Sequence, residues 1–357
     1  MKILYGVVGE GMGHAIRSRV VIEHLLQGGH EVEVMASQRA AGFLANHFPN
    51  VHRIHGMHII YEANQVRRGA TLWSNALQGA AALPQQIRAY FELVEDFEPE
   101  IVVSDFESWT YLYGKTKGLP VLSIDNMQII ARTAHPPEVL TGARLDYELT
   151  RALVAGKLPF CEHYLIGTFF YPTGLKERTT LVPPILREDV LAATSGTGEH
   201  LLVYQTGEGY GELTQALTEA NVECRVYGMR RDLETEVVEG KLHYRPFSEA
   251  GFIADLASAR GVIAGGGFTL MSECVYLHKP LLAVPIRGQF EQVLNARYLE
   301  HLGYGLAATS VSAAAVQHFL EQIPCCAERL ATYHQDGNAL LFEALDHQLD
   351  KAAAGLL

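Results

Sequence analysis

The first 35 residues, MKILYGVVGEGMGHAIRSRVVIEHLLQGGHEVEVM, indicate an α/β fold. Residues 2–8 are a short apolar run rich in β-forming residue types, which predicts a buried strand. A glycine-rich turn over residues 9–13 follows, then a helical pattern over residues 14–27 and a second strand over residues 30–35. This order of strand, turn, helix and strand is a βαβ unit, and such units build parallel sheets.

The same alternation continues in two blocks separated by a segment of different composition. Pro and Gly punctuate residues 171–199, which predicts a linker. The sequence therefore predicts an α/β protein with two Rossmann-like parallel-sheet domains facing across a cleft, over residues 1–170 and 200–335. A last helical pattern from about residue 327 to 349 leads us to expect that residues 336–357 pack back toward the N-terminal domain.

The composition argues against several classes of function. The chain has 357 residues and a formal net charge of -12, whereas non-specific binding to nucleic acid needs clustered Lys and Arg. Its five cysteines include no CxxC pair, so neither a disulfide framework nor a zinc ribbon is indicated. No window has the roughly 18 apolar residues of a membrane span. We expect a cytoplasmic protein that has no nucleic-acid partner.

Two further segments leave alternatives open. Residues 59–97 carry many apolar and aromatic side chains, which fit an apolar acceptor pocket, a face that touches the inner side of the membrane, or an amphipathic helix packed on the sheet. The histidines His52, His55 and His58 suggest a metal site, but their spacing suits neither one helix face nor one strand face. We therefore predict no metal site.

Three glycine turns stand between a predicted strand and a predicted helix. They are residues 9–14 (GEGMGH), residues 206–209 (TGEG) and residues 264–269 (AGGGFT). Ligands of open α/β sheets bind beyond the carboxyl ends of the strands, where helix N-termini favour phosphate. Close packing of the backbone is the alternative explanation for the glycines. His14 stands at the start of its helix, where it is either a residue of the ligand site or a packed histidine.

The stretch between residues 244 and 305 carries a family resemblance. It contains YRPF at 244–247, VIAGGGFTLMSE at 262–273, KPLLAVP at 279–285, EQVLNA at 291–296 and LGYG at 302–305. In this order and spacing, the stretch resembles the donor-binding half of GT-B glycosyltransferases. The likeness is to the UDP-glycosyltransferase superfamily and to the peptidoglycan N-acetylglucosaminyltransferase. The opening turn resembles the same superfamily, and the chain looks closest to a bacterial and archaeal branch that opens with GEGxGH.

The resemblance implies roles for donor-binding residues. Glu273 matches the glutamate that binds the ribose hydroxyls, Glu291 and Gln292 match the pair that holds donor-sugar hydroxyls, and Phe247 falls near the segment that cradles the base. The remaining matches belong to diphosphate-binding turns: Thr206, Gly207, Gly265, Gly266, Gly267 and Thr269. The chain departs from many plant-type members, which have a histidine at position 265, a tryptophan in the base segment and an aspartate at position 291.

The chemistry of glycosyl transfer points to candidates in the first half of the chain. The acceptor hydroxyl must lose a proton, and His14 is the candidate base. Asp105 ends a predicted strand on the same sheet edge, and in the superfamily an aspartate in a similar context orients the histidine. Glu107 is the reserve partner, and a helix N-cap is the alternative role for Asp105. The expected acceptor side is formed by Gly11, Gly13, Asn126 and Gln128, although the last two also fit a turn.

The predicted function is therefore sugar transfer by a hexosyltransferase-type enzyme. The expected donor is a nucleotide-diphosphate sugar with UDP as the best match, and the expected acceptor is a small-molecule or lipid-linked hydroxyl. We expect inversion at the anomeric carbon and no required cofactor or metal. Two alternatives remain open, namely a nucleotide-sugar epimerase or hydrolase of the same fold and a nucleotide-sugar-binding protein without turnover.

Overall fold

The computed structural model describes residues 1–9, 11–54, 91–205, 210–230 and 232–357. These residues form two compact units. Unit 1 comprises Met1–Ala134, Leu149–Ile185 and Asn338–Leu357, and unit 2 comprises His135–Glu148 and Leu186–Gly337. Strands and helices are numbered in chain order over the described residues.

Unit 1 is built on a parallel sheet whose order, among the described residues, is β3-β2-β1-β4-β5-β6-β7. Its strands are β1 Lys2–Val7, β2 Glu31–Ser37, β3 Val51–Ile54, β4 Ile101–Asp105, β5 Val121–Asp125, β6 His163–Gly167 and β7 Thr179–Val182. Its larger helices are α1 Met12–Gln27, α2 Gln38–Ala45 and α3 Ser108–Lys117, and the short α4 spans Ile129–Arg132. Between β5 and β6, α5 spans Pro137–Leu140 in unit 2, and α6 spans Arg144–Lys157 and passes from unit 2 into unit 1.

The topological switch point of this sheet lies at its centre. Strand β1 pairs with β2 on one side and with β4 on the other. Strands β2 and β3 therefore extend the sheet in one direction and strands β4 to β7 in the other, which places a topological switch point between β1 and β4. Both central strands are mostly apolar and buried, because helices cover both faces of a parallel sheet. The carboxyl ends of β1 and β4 therefore border the switch point, which is where open α/β sheets bind ligands.

Unit 2 repeats the design with strand order β10-β11-β9-β8-β12-β13-β14. Its strands are β8 Leu201–Tyr204, β9 Cys224–Tyr227, β10 Val237–Glu239, β11 Leu242–Tyr244, β12 Gly261–Ala264, β13 Leu281–Ala283 and β14 Gly305–Ala307. All pair in parallel except β10, which runs antiparallel to β11 at the edge. Its helices are α7 Glu188–Ala192, α8 Tyr210–Ala220, α9 Glu249–Ser258, α10 Phe268–Tyr276, α11 Phe290–His301 and α12 Ala313–Leu330. The prediction of two Rossmann-like parallel-sheet domains is confirmed.

The two units interleave along the chain, whereas the predicted domains over 1–170 and 200–335 are contiguous. Residues 135–148 belong to unit 2 because they pack on α11: Arg297 donates to the Val139 carbonyl at 2.7 Å, and His135 Nδ1 lies 2.8 Å from the Tyr298 hydroxyl. The predicted linker, residues 171–199, contains both β7 and α7, and the two units meet in sequence within it, after Ile185.

The single helix predicted over residues 327–349 is divided between two helices in the structure. Helix α12 continues through Pro324 to Leu330, because Phe319, Ile323 and Leu330 extend its apolar face at helical spacing. The last helix, α13, spans Ala339–Ala353. Within the described ranges, no helix is long and apolar enough to cross a membrane.

Helix α13 is part of unit 1 and joins its core. Leu341, Leu345 and Leu349 recur every four residues and are buried in the cluster that contains β1 and α1. On the surface beside them, His24 of α1 contacts Asp346 at 2.8 Å and stacks on Phe342 with ring centroids 3.9 Å apart. Helix α13 therefore packs on β6 and β7 and contacts α1 through His24.

We predict that Leu345→Ala lowers the free energy of unfolding of unit 1 by about 2–5 kcal/mol, because it removes a fully buried side chain and leaves a cavity. Urea denaturation followed by circular dichroism measures this loss. Leu340→Ala is the matched control, since Leu340 lies on the same helix and is 56% exposed. Equal losses in the two variants would contradict the packing of α13 described above.

Candidate functional site

The first candidate site lies at the carboxyl ends of β1 and β4. After β1 the backbone passes Gly9, where an added Cβ would lie 2.6 Å from the carbonyl oxygen of Ser37, and then Gly11, whose φ is +90°. Only glycine tolerates that approach and that backbone conformation readily. Helix α1 begins at the next residue, with His14 in its first turn.

Three side chains of α1 converge on one carboxylate. His14, Arg17 and Ser18 stand at positions i, i+3 and i+4, which is one face of a helix. Asp105, the last residue of β4, lies opposite that face and is 1% exposed. His14 Nδ1 lies 2.8 Å from Asp105 Oδ1. The structure thus brings together the two residues that the sequence predicts as the base and its partner.

Hydrogen bonds saturate the Asp105 carboxylate. Arg17 donates from Nε to Oδ2 at 2.9 Å and from Nη2 to Oδ1 at 2.5 Å, and the Ser18 hydroxyl donates to Oδ2 at 2.9 Å. Together with His14, these contacts occupy the roughly four lone-pair sites of a carboxylate. Asp105 is therefore available to orient other groups, not to take a proton itself.

The charges of this cluster determine its protonation states. Burial opposes ionisation of Asp105, but the positive charge of Arg17 and the contact with His14 outweigh it and hold the pKa of Asp105 well below its usual range. Burial lowers the pKa of His14, and the neighbouring Arg17 charge lowers it further, against the attraction of Asp105. The imidazole is consequently neutral at physiological pH, although its side chain is still 15% exposed.

Glu107, the reserve partner, has a different role. Its two carboxylate oxygens accept hydrogen bonds from the backbone N–H groups of Trp109 and Thr110, each at 2.7 Å. It therefore caps the N-terminus of α3. The N-cap considered for Asp105 is thus formed two residues further on, after Phe106, whose backbone takes a left-handed φ of 54°.

The neighbouring strand end supplies polar groups on the predicted acceptor side. Arg17 Nη1 donates to Asn126 Oδ1 at 2.5 Å, so Asn126 belongs to the same network. Asp125 accepts from Ser123 Oγ and from the Gln128 N–H, and burial raises the pKa of Asp125 to about 6. Within the part of the chain that the structure describes, the amide nitrogen Nε2 of Gln128 is buried and has no hydrogen-bond partner. A buried donor of this kind is costly unless a ligand or water satisfies it.

The second candidate site lies in unit 2, after β12. An added Cβ at Gly266 would lie 2.5 Å from the carbonyl oxygen of Gln292, so the turn packs tightly against α11. Gly267 is the N-cap of α10 and has no side chain with which to bond the first N–H groups, and the first turn contains no acidic residue. A helix start of this kind has the positive end of the helix dipole and no side-chain cap, which suits an anion.

Side chains of α11 brace the glycine turn. Gln292 Oε1 accepts from the N–H groups of Gly266 and Ile286, both at 3.1 Å, and its Nε2 donates to Gln289. Asn295 Nδ2 donates to the Gly266 carbonyl at 3.1 Å and to Glu291 Oε1 at 2.7 Å. In this conformation the predicted sugar-binding pair, Glu291 and Gln292, contributes to the shape of the turn.

Glu273 is held by an arginine. Arg187 donates from Nε to Oε1 at 2.8 Å and from Nη2 to Oε2 at 3.0 Å, and its Nη1 reaches Glu249 at 2.8 Å. Glu273 is 2% exposed, so burial raises its pKa while the Arg187 charge acts in the opposite direction. Each oxygen keeps a lone pair beyond the bidentate contact, which is the capacity that a ribose diol requires.

Two further predicted donor residues lie in the described part of unit 2. Phe247 is 72% exposed, and Thr269 lies half-buried in the first turn of α10. The predicted Thr206 and Gly207 lie outside the described residues, as do His55, His58 and most of the segment over 59–97.

Four residues of these networks were not predicted from the sequence. Arg17 and Ser18 follow His14 at helical spacing, and Asn295 follows Glu291 in the same way, so a helical projection through each predicted residue would have found them. Arg187 had no such signal, because it is 86 residues away in sequence from Glu273.

Comparisons with known proteins agree with this architecture. A family model, Glycosyl transferase family 1, matches residues 1–324. An uncharacterized glycosyltransferase of Methanosarcina mazei is 25% identical over 326 residues, which cover 85% of each chain. The calicheamicin glycosyltransferase CalG4 superposes with a TM-score of 0.66 at 16% identity and 98% coverage of both chains. The spinosyn rhamnosyltransferase SpnG complexed with thymidine diphosphate gives 0.56 at 17% identity, over 92% of this chain and 95% of that one.

The chain belongs to glycosyl transferase family 1, because the family model covers most of its length. Its fold is that of the GT-B glycosyltransferases. The protein is a transferase, and its class of reaction is sugar transfer.

We predict that Arg187→Met lowers the free energy of unfolding of unit 2 by about 3–5 kcal/mol, because it leaves the buried Glu273 carboxylate unpaired. The double variant Arg187→Met/Glu273→Gln is the control. It removes both charges of the pair and should recover part of the loss. Urea denaturation of the single variants and of the double variant measures the coupling, and losses that simply add would contradict this prediction.

Proposed function

We propose that this protein transfers a hexose from a nucleoside diphosphate sugar to an acceptor hydroxyl with inversion at the anomeric carbon, and that His14 is the general base. The observation that carries the proposal is the 2.8 Å contact between His14 Nδ1 and the saturated carboxylate of Asp105. No residue in the described part of the chain bonds to Nε2 of the same ring. A neutral imidazole with one nitrogen held and the other free is suited to accept a proton.

In this mechanism each group has one task. Nε2 of His14 takes the proton of the acceptor hydroxyl as its oxygen attacks the anomeric carbon from the side opposite the diphosphate. The bond to the diphosphate breaks in the same displacement, so the configuration inverts. Asp105 holds the Nδ1–H tautomer and stabilises the imidazolium that forms, as the carboxylate does in a Ser-His-Asp triad.

The proposed donor site is the turn before α10. The leaving diphosphate carries negative charge, which the uncapped helix start and its dipole stabilise without a bound metal. SpnG, which shares the fold, has been crystallised with thymidine diphosphate, and this supports a nucleotide as the donor carrier. Glu273 is proposed to bind the ribose, and UDP is the expected nucleotide.

The proposed acceptor side contains Gln128 and the turn with Gly11 and Gly13. The unpartnered Nε2 of Gln128 is a buried donor that an oxygen of the acceptor would satisfy. A second SpnG structure contains the spinosyn aglycone, which is an acceptor of the small-molecule class. A small-molecule or lipid-linked hydroxyl is therefore the expected second substrate.

We predict that His14→Ala lowers kcat/KM for transfer by about 10²–10⁴-fold, because it removes the base. Calorimetric titration with UDP should give an unchanged Kd. His24→Ala, on the same helix but paired with Asp346, is the control and should keep transfer. Transfer that survives in His14→Ala would refute the base assignment. Turnover of the donor to free or epimerised sugar, with no transfer to a broad panel of hydroxyl acceptors, would favour a hydrolase or epimerase.

The donor site has its own test in the pair Thr269→Glu and Thr269→Gln, which differ by one charge in the first turn of α10. A carboxylate there repels a diphosphate, so Thr269→Glu should weaken UDP binding by about tenfold or more relative to Thr269→Gln. The same charge favours the helix N-terminus, so stability without ligand should not fall. Calorimetry and thermal unfolding measure the two effects, and equal affinities for UDP would place the diphosphate elsewhere.

A further inference from the structure

Arg17 occupies a position that the sequence analysis did not assign. Its side chain is 5% exposed, and a buried guanidinium is stable only when it is paired. Its planar fork bonds both oxygens of Asp105 and, from Nη1, the side chain of Asn126. Arg17 therefore joins the carboxyl ends of β4 and β5 to the helix that carries His14.

The contacts of Arg17 also reach the proposed base. Its Nη2 lies 2.5 Å from His14 Nδ1 and 2.5 Å from Asp105 Oδ1, and the last two atoms are 2.8 Å apart. Asp105 Oδ1 can only accept, so it is the shared acceptor when Nδ1 carries a proton. When Nδ1 carries no proton, Nδ1 accepts a hydrogen bond from Arg17 Nη2, and the ring proton of the neutral imidazole is on Nε2. The three contacts among these atoms thus relate the position of the guanidinium to the tautomer of His14.

We propose that Arg17 is a positioning residue of the transfer reaction, which fixes the Asp105 carboxylate in the plane that receives Nδ1–H of His14 and ties that carboxylate to Asn126 at the acceptor side. It acts through Asp105 and His14 and needs no contact with substrate. The inference deepens the proposed function and rests on it for the role of His14. The coupling between Arg17 and His14 is measurable without any substrate.

Charges on every side of His14 determine the direction of the expected effect. His14 faces Arg17 on its own helix, Asp105 of β4 and Lys157 of α6, while Asp125 of β5 and Tyr5 of β1 act on Arg17. Arg17 and Lys157 oppose a second positive charge, and Asp105 favours one. Burial lowers the pKa of His14 in either case, but loss of Arg17 removes the larger of the two opposing charges and therefore raises that pKa.

Two substitutions separate the charge of Arg17 from its geometry. Arg17→Met removes both, and Arg17→Lys keeps the charge but loses the planar fork that bonds two partners at once. Arg19→Met is the matched control, because Arg19 lies on the same helix and pairs at the surface with Glu23. A merely structural role of Arg17 would lower stability in both variants without moving the pKa of His14.

The decisive experiment is an NMR titration of the His14 ring in protein with ¹⁵N-labelled histidine, assigned by its loss in His14→Ala. In the unmodified protein we expect the Nδ1–H tautomer. In Arg17→Met we expect the pKa of His14 to rise by about one unit or more. The acid limb of the pH profile of kcat/KM should then move to higher pH, because the base becomes protonated at a higher pH. Arg17→Lys should keep the pKa near its original value while kcat falls, and Arg19→Met should change neither.

An Nε2–H tautomer in the unmodified protein would overturn the proposal, and this measurement needs no variant to fold. An unchanged or lowered pKa of His14 in folded Arg17→Met would also overturn it. If His14→Ala retained transfer, the proposed base would fail, whereas the measured coupling between Arg17 and His14 would still decide whether Arg17 positions the imidazole.

Discussion

The buried carboxylate of Asp105 is the constraint on which the site in unit 1 depends. A carboxylate at the end of a central strand is stable only when its lone pairs are satisfied, and here one face of helix α1 satisfies them. The same contacts fix the imidazole of His14 and reach the next strand through Asn126. A requirement of folding, pairing a buried charge, thereby produces an oriented and neutral imidazole at the switch point of the sheet.

Unit 2 has the same type of fold, but its candidate site contains an uncapped helix start instead of a buried carboxylate paired by side chains. At the end of β12 the charge to be stabilised is that of the proposed ligand, so the helix start is left without a side-chain cap. Rigidity comes from outside the turn, where Gln292 and Asn295 hold the backbone of Gly266. Side chains organise the site in unit 1, and backbone groups organise the site in unit 2.

The sequence predicts the sheets well, because short apolar strands separated by glycine turns are a local signal. Strand β1 spans Lys2–Val7 where residues 2–8 are predicted, and β2 spans Glu31–Ser37 where residues 30–35 are predicted. The sequence also indicates His14 and Asp105, since His14 follows β1 and Asp105 ends β4 at the same edge of the sheet. The roles of Arg17 and Arg187 depend on partners 88 and 86 residues away, which no local pattern specifies. The attachment of residues 135–148 to unit 2 likewise follows from contacts with α11 that are distant in sequence.

The configuration of the transferred sugar reports on the proposed mechanism, because a single displacement with a histidine base has only one stereochemical result. The measurement is the anomeric proton coupling of the product, read by NMR, from a donor whose sugar is α-linked to the diphosphate. The proposed displacement gives a β-linked product. An α-linked product would require a different mechanism, and would contradict the role assigned to His14 and Asp105.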